Sequence, residues 1–347
     1  MSVLQNCHRY FRSGVVGPTR ARLLVRLALF LTIVLLCAGR VSATDKIPVI
    51  LSTDVGNEID DQWAVAYMMV NPQLEVLGII SAHAPTLPPP AARFTYLVLR
   101  DEVENRLKMA IHPPLFEGSS LPLPDAKTPR PNAGVDFIIQ SSKEFSSSNR
   151  LTVLTIGAAT DVASAIIEDP GIADRTRVVA MGFRSWPNGG DEFNVANDVA
   201  AWQAILRSDV PVAVGCGDVC RANLSLTPDQ AQKLISQHGP IGAWLWDEYQ
   251  AWYYRHVKPM RSNDLSQAWV IWDTVVLAYV EGLTTQEVHP RPLLKDDMKF
   301  EPGHAGKTIT WVTGIDSARM WPDFIQKLDI YQRTHRVEDS VPLPFLP

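Results

Sequence analysis

The sequence predicts an α/β fold: a single doubly wound, mostly parallel sheet flanked by helices. Three observations lead there. Short runs rich in Val, Ile and Leu are apolar without alternation, as strands covered on both faces are. These runs alternate with longer segments of helical period, the order expected of strand-helix-strand units with parallel strands. The polar clusters "STDVGNEIDD", "GAATD" and "MGFRSWPNGGDEFN" each follow such a run directly, at the strand ends where open α/β sheets bind ligands.

In chain order, "IPVILS" is the first strand, and the helix predicted over 60–70 opens on Asp60 and Asp61, whose charges suit its N-terminus. "EVLGIIS" is the next strand. The Pro-rich stretches "APTLPPP" and "SSLPLPDAKTPRPNAG" read as long loops, because strand and helix patterns resume on either side. A helix over 133–147 leads to the strand "LTVLTIG", then come the strand "RVVAMG", a helix over 196–207 and the strand "VPVAVG". Helices follow over 228–238, 241–256 and 273–282, the last beginning at Asp273; the tail "VEDSVPLPFLP" has no periodicity, and no internal repeat is evident.

Residues 1–43 are a separate object. Five arginines from Arg9 to Arg26 lead into "LALFLTIVLLCAG", too short to span a bilayer comfortably, and "VSA" then offers the small residues a signal peptidase reads. The expectation is an exported protein, periplasmic or secreted, cleaved after Ala43 and not held at the membrane afterwards. Residues 44–347 form one domain. Cleavage removes six arginines and no acid, taking the formal net charge from −5 to −11. So acidic a surface repels phosphate backbones and argues against a nucleic-acid polymer as partner. Cys216 and Cys220 remain, expected as a small local disulfide or two free thiols.

The chemistry gathers in "STDVGNEIDDQWAVAYMM". Asp54, Glu58, Asp60 and Asp61 place four carboxylates within eight residues. Helix capping accounts for Asp60 and Asp61, but not for Asp54 at the end of a buried strand. Burying several ionised carboxylates without a partner costs several kcal/mol each, so a cation is expected. Oxygen-only ligands suit a hard ion, Ca²⁺ or Mg²⁺, and neither an EF-hand nor a Walker motif fits the spacing. A phosphatase of the Asp-x-Asp type fails on one residue, since its nucleophile would be Ser52.

At these residues the chain resembles the inosine-uridine-preferring nucleoside hydrolases. Some members carry a D-x-G-x-D-x-D-D signature, and "DVGNEIDD" resembles it with Glu58 at the middle acid. Four further matches recur in the family's order: "TIGAATDVASAI", "AMGF", "DEFNVANDVAAW" and "WDTVVLAY". The resemblance implies a nucleoside hydrolase-like domain with a Rossmann-like core, and Ca²⁺ held by Asp54, Asp61, the Thr160 carbonyl and Asp273. It further implies hydrolysis of a ribonucleoside N-glycosidic bond with Asp54 as general base. Asp60, Glu192 and Asn194 would hold the ribose, with Met181 and Phe193 packing nearby.

Where many members have His before the last calcium aspartate, this chain has Trp272. That resembles a purine-specific branch in which Trp stacks on the base, and Phe116 is expected as a second aromatic wall. Asn57 and Asn188 are expected ribose contacts, and His83 either touches substrate or caps its strand. Tyr253, Tyr254 and Arg255, on the aromatic helix over 241–256, are candidate lid residues, although packing explains most of that stripe. The reading is a Ca²⁺-dependent, purine-preferring hydrolase of small-molecule nucleosides, with a homo-oligomer common among relatives. Its rivals are a pyrimidine or non-selective hydrolase, and a non-catalytic periplasmic nucleoside- or sugar-binding protein.

Overall fold

All five apolar runs become neighbouring strands of one eight-stranded sheet. The structure, a computed structural model, describes residues 46–260, 267–303 and 306–335. The expected signal segment and the C-terminal tail lie outside the described residues. The strands are β1 (Ile47–Thr53), β2 (Leu74–Ser81), β3 (Leu115–Glu117), β4 (Leu151–Thr155), β5 (Thr176–Met181), β6 (Val212–Gly215), β7 (Thr284–Pro290) and β8 (Thr308–Ile315). Their order is β3-β2-β1-β4-β5-β6-β8-β7, and every pairing is parallel except β8 with β7.

Both faces of the sheet are covered, which is why its strands lack polar alternation. Val49 and Leu51 of β1 enter one core cluster while Ile50 enters the other, and Leu154 and Val153 of β4 divide likewise. The helices are α1 (Asp60–Met69), α2 (Ala91–Asp101), α3 (Ala133–Ser142), α4 (Thr160–Glu168), α5 (Phe193–Asn197), α6 (Val199–Arg207), α7 (Gly217–Asn223), α8 (Pro228–Ile235), α9 (Gly239–Trp252), α10 (Thr274–Val280) and α11 (Ser317–His335). Helix α1 is buried from Asp60 to Met68, so its acids are inside the protein.

Two helices differ from expectation for local reasons. The segment expected as one helix over 196–207 breaks, because the Asp198 side chain accepts from Ala201 N at 2.9 Å and starts α6 afresh. The helix expected over 133–147 ends at Ser142, and Ser146 and Asn149 close a turn after it.

Strand connections diverge between β1 and β4, which are adjacent and lead away to opposite halves of the sheet. Such a switch point opens a crevice beyond the strand ends. Gly157, just past β4, permits a close approach to β1 there: a Cβ at this position would lie 2.9 Å from both N and Oδ1 of Asp54.

Candidate active site

The turn after β1 carries the first half of the site. Asp54 ends the strand, Gly56 follows at φ +97°, and Asn57 N donates to Asp54 O at 3.1 Å. The positive φ is the backbone geometry glycine tolerates best. Asn57 Nδ2 lies 3.4 Å from Asp54 Oδ2, and Thr86 Oγ1 donates to Asn57 Oδ1. Thr53 at the end of β1 donates to Asp61 Oδ1 and so ties strand to helix.

Asp273, immediately before α10, brings the second half from more than two hundred residues away. Carboxylate oxygens of Asp60, Asp61 and Asp273 lie within 4.8 Å of one another, and all three residues are buried. Asp54 is buried beside them, and its charge acts on both Asp61 and Asp273. Burial first, then the neighbouring acids, drives the Asp54, Asp61 and Asp273 carboxyls well above the usual range. Burial raises Asp60 to about 6, partly offset by hydrogen bonds that include one with the Asp273 side chain. Glu58 Oε2 is buried without a hydrogen-bond partner. Crowded, desolvated oxygen donors of this kind fit a hard divalent cation.

These acids line a cavity of about 200 Å³ that also takes in Asn57, Met181, Glu192, Phe193, Asn194 and Trp272. Thus ten residues expected at the site from sequence, Asp54, Asp60, Asp61 and Asp273 among them, share one hollow. Glu192 caps α5, accepting from Asn194 N at 3.1 Å and Val195 N at 3.0 Å, and burial raises it to about 7. Asn194 Nδ2 reaches back to Ile156 O at 3.2 Å, pinning α5 to the end of β4.

Three expected site residues lie elsewhere. Thr160 stands in the first turn of α4, where its carbonyl accepts from Ser164 Oγ at 2.8 Å and its hydroxyl donates to Asp198 Oδ2 at 2.6 Å. It is not among the residues that line the cavity. Phe116 on β3 stacks on Phe137 with centroids 4.3 Å apart, turned toward α3 and the core. Asn188 is exposed in a turn closed by Ser185 and Gly189, and its carbonyl accepts from Phe300 N at 3.2 Å.

His83 does not line this cavity; its Nε2 is 3.0 Å from Thr160 Oγ1, and burial lowers its pKa. Tyr253 belongs to the core, while Tyr254 and Arg255 are exposed and outside this cavity. Cys216 and Cys220 are buried free thiols, the second of the two alternatives.

Sequence reasoning missed Arg184, Asp191, Asp218, Arg221 and Trp269 on the cavity wall. Arg184 Nε lies 3.9 Å from Asp218, and the Arg221 guanidinium sits 5.1 Å above the Trp272 ring. The segment "GCGDVCRA" carried a signal, two charges beside a strand end, that its cysteines obscured.

A family model described as inosine-uridine preferring nucleoside hydrolase matches residues 49–322. The chain belongs to this family. Membership classes it with the N-glycosyl hydrolases. Among solved structures, a purine-preferring ribonucleoside hydrolase from Gardnerella vaginalis superposes with TM-score 0.66 at 20% identity, covering 83% of this chain and 99% of that one. A plant nucleoside hydrolase superposes with TM-score 0.63 at 18% identity, covering 81% and 98%. Likenesses at such identity establish the nucleoside hydrolase fold. An uncharacterised protein of Schizosaccharomyces pombe is 26% identical over 188 residues, spanning 48% of this chain and 59% of that relative's length.

Proposed function

We propose that this protein hydrolyses the N-glycosidic bond of ribonucleosides, favours purines, and uses Ca²⁺. One observation carries the reading: Asp54, Asp60 and Asp61 from the first strand-helix turn meet Asp273, all four buried, at a single cavity of a nucleoside hydrolase fold. Asp60, Asp61 and Asp273 would hold the ion, with Asp54 at its border. A bound Ca²⁺ would polarise water and orient the hydroxyls of a sugar.

The chain's own residues then account for the rest. Asp54 accepts the proton of the attacking water as a C1′–O bond forms. The C1′–N bond breaks with its electron pair passing to the base, which takes a proton from solvent. Positive charge developing on the ribose ring is stabilised by the surrounding carboxylates. Glu192 and Asn194, fixed at the start of α5, face the cavity where sugar hydroxyls would sit. Trp272 offers an indole for stacking, and Arg221 lies over one of its faces, so a base takes the other face or displaces the guanidinium. The purine preference of the Gardnerella vaginalis hydrolase accords with this reading.

The test is incubation with inosine, adenosine and uridine, followed by assay of released ribose with and without chelator. Ribose from purine nucleosides that chelation abolishes is the expected result; binding without any ribose would make the protein a nucleoside receptor. Export is proposed on the basic, apolar and "VSA" features of residues 1–43. N-terminal sequencing of the mature protein should begin at Thr44, and a chain still starting at Met1 would refute it.

A further inference from the structure

Trp269 and Trp272 meet at a right angle on the cavity wall, with ring centroids 6.4 Å apart. Stacking on indole is tolerant of sequence, because every base has a π-face. Discrimination among bases at this end of the cavity therefore falls to polar side chains. Apart from the acid cluster and Glu192, four charged residues line the wall: Arg184, Asp191, Asp218 and Arg221. Arg184 faces Asp218, with Nε 3.9 Å from Oδ1. Asp191 and Asp218, when ionised, accept hydrogen bonds and donate none.

Arg221 differs from the other three. Its guanidinium carbon stands 5.1 Å from the centroid of the Trp272 ring, the ring on which a base would stack. Among the described residues that guanidinium makes no ion pair and no hydrogen bond. The main chain beneath it is fixed, since α7 leaves the end of β6 and Ser225 Oγ donates to Arg221 O at 2.7 Å. An anchored backbone thus carries an exposed side chain whose donors are uncommitted.

We propose, on the nucleoside hydrolase reading above, that Arg221 reads the edge of the base and selects 6-oxopurine nucleosides, inosine and guanosine, over adenosine. A base stacking on the ring face that the guanidinium covers moves it to the base's own edge, and no ion pair has to break. A 6-oxopurine shows two acceptors there, O6 and N7, which match two N–H groups of the guanidinium fork. Adenosine shows N7 and an amino donor, and that donor meets a cation with five N–H groups and no acceptor. As the C1′–N9 bond breaks, its electron pair spreads over the departing base to N7 and O6, where the same N–H groups stabilise it. Arginine keeps its protons, so the base still takes its proton from solvent.

The test is kcat/KM for inosine, guanosine and adenosine, measured on the full-length protein in calcium-containing buffer. Wild type should favour inosine over adenosine by about tenfold or more, with guanosine following inosine. Arg221→Ala should lose at least that factor on inosine and little on adenosine. Arg221→Gln presents a carboxamide, which pairs with N7 and the 6-amino group of adenine, and should invert the preference. Equal losses on both purines would make Arg221 a prop for Trp272 and overturn the proposal, as would a wild-type protein indifferent to the two. A protein that releases ribose from no nucleoside loses the hydrolase reading, yet binding still decides this one. By calorimetry on Asp54→Asn, inosine should bind more tightly than adenosine and lose that advantage when Arg221→Ala is added; equal binding overturns the proposal.

Discussion

Asp54 sits 2% exposed at the end of β1, where burial first and the neighbouring acids second raise its pKa, a position that makes sense only if something in the working enzyme draws on its charge. Asp54→Asn keeps the shape and removes the base. Its kcat should fall by about 10²–10⁴-fold, the range for losing a general base, with circular dichroism unchanged; an active Asn variant would remove Asp54 from that role. Trp272→Ala tests the base end. Stacking is worth about 1–3 kcal/mol per base, so inosine should lose that much in kcat/KM while uridine loses clearly less. Equal losses would leave Trp272 a packing residue. At this scale the acids were legible because ionisable groups at the end of a buried strand demand a reason. Thr160, Phe116 and Asn188 do not line the cavity, and their positions were hard to read because a strand's facing and a turn's path are settled by contacts distant in the chain. Thr160 shows this best: its carbonyl accepts from the Ser164 hydroxyl, and its own hydroxyl donates to Asp198 just before α6.

At the level of elements, the site depends on how closely β1 and β4 approach. Gly157→Ala would put a methyl 2.9 Å from Asp54 N, a distance real side chains do not hold, so Asp54 must move. Displacing a catalytic group by about 1 Å can cost 10²-fold, and a loss of about that size is expected for about 1–3 kcal/mol of destabilisation. Wild-type kcat in this variant would show that Asp54 has slack. Asp198→Ala should act on stability instead. Asp198 caps α6 and also accepts from Leu123 N at 2.8 Å and from Thr160 Oγ1, so urea unfolding should show a loss of at least about 2 kcal/mol. The five central strands could be read from sequence because sandwiched strands are continuously apolar. β7 could not: "TTQEVHP" is mostly exposed at the sheet edge and carries no core pattern. α11 was not expected either; it holds Pro322 at its sixth residue, a position that disfavours helix.

For the molecule as a whole, the clustered acids link folding to pH and to the ion. Asp60 rises from an ordinary 3.8 to about 6, and Glu192 from 4.5 to about 7, with burial as the main cause in each. A carboxyl whose folded-state pKa exceeds its unfolded value binds protons more tightly when folded. Its contribution is therefore fully present at low pH and is lost as pH rises through the folded pKa. In chelator, the melting temperature should fall between about pH 4 and pH 7, the window these two shifts define. A divalent cation binds the ionised carboxylates of the folded chain alone, so added calcium should restore stability most at the upper end of that window. The two melting curves should thus diverge with rising pH. Curves that stay parallel from pH 4 to 7 would mean that these acids do not gather around an ion, and would send the search for a charge partner to the arginines at the cavity mouth, Arg184 and Arg221.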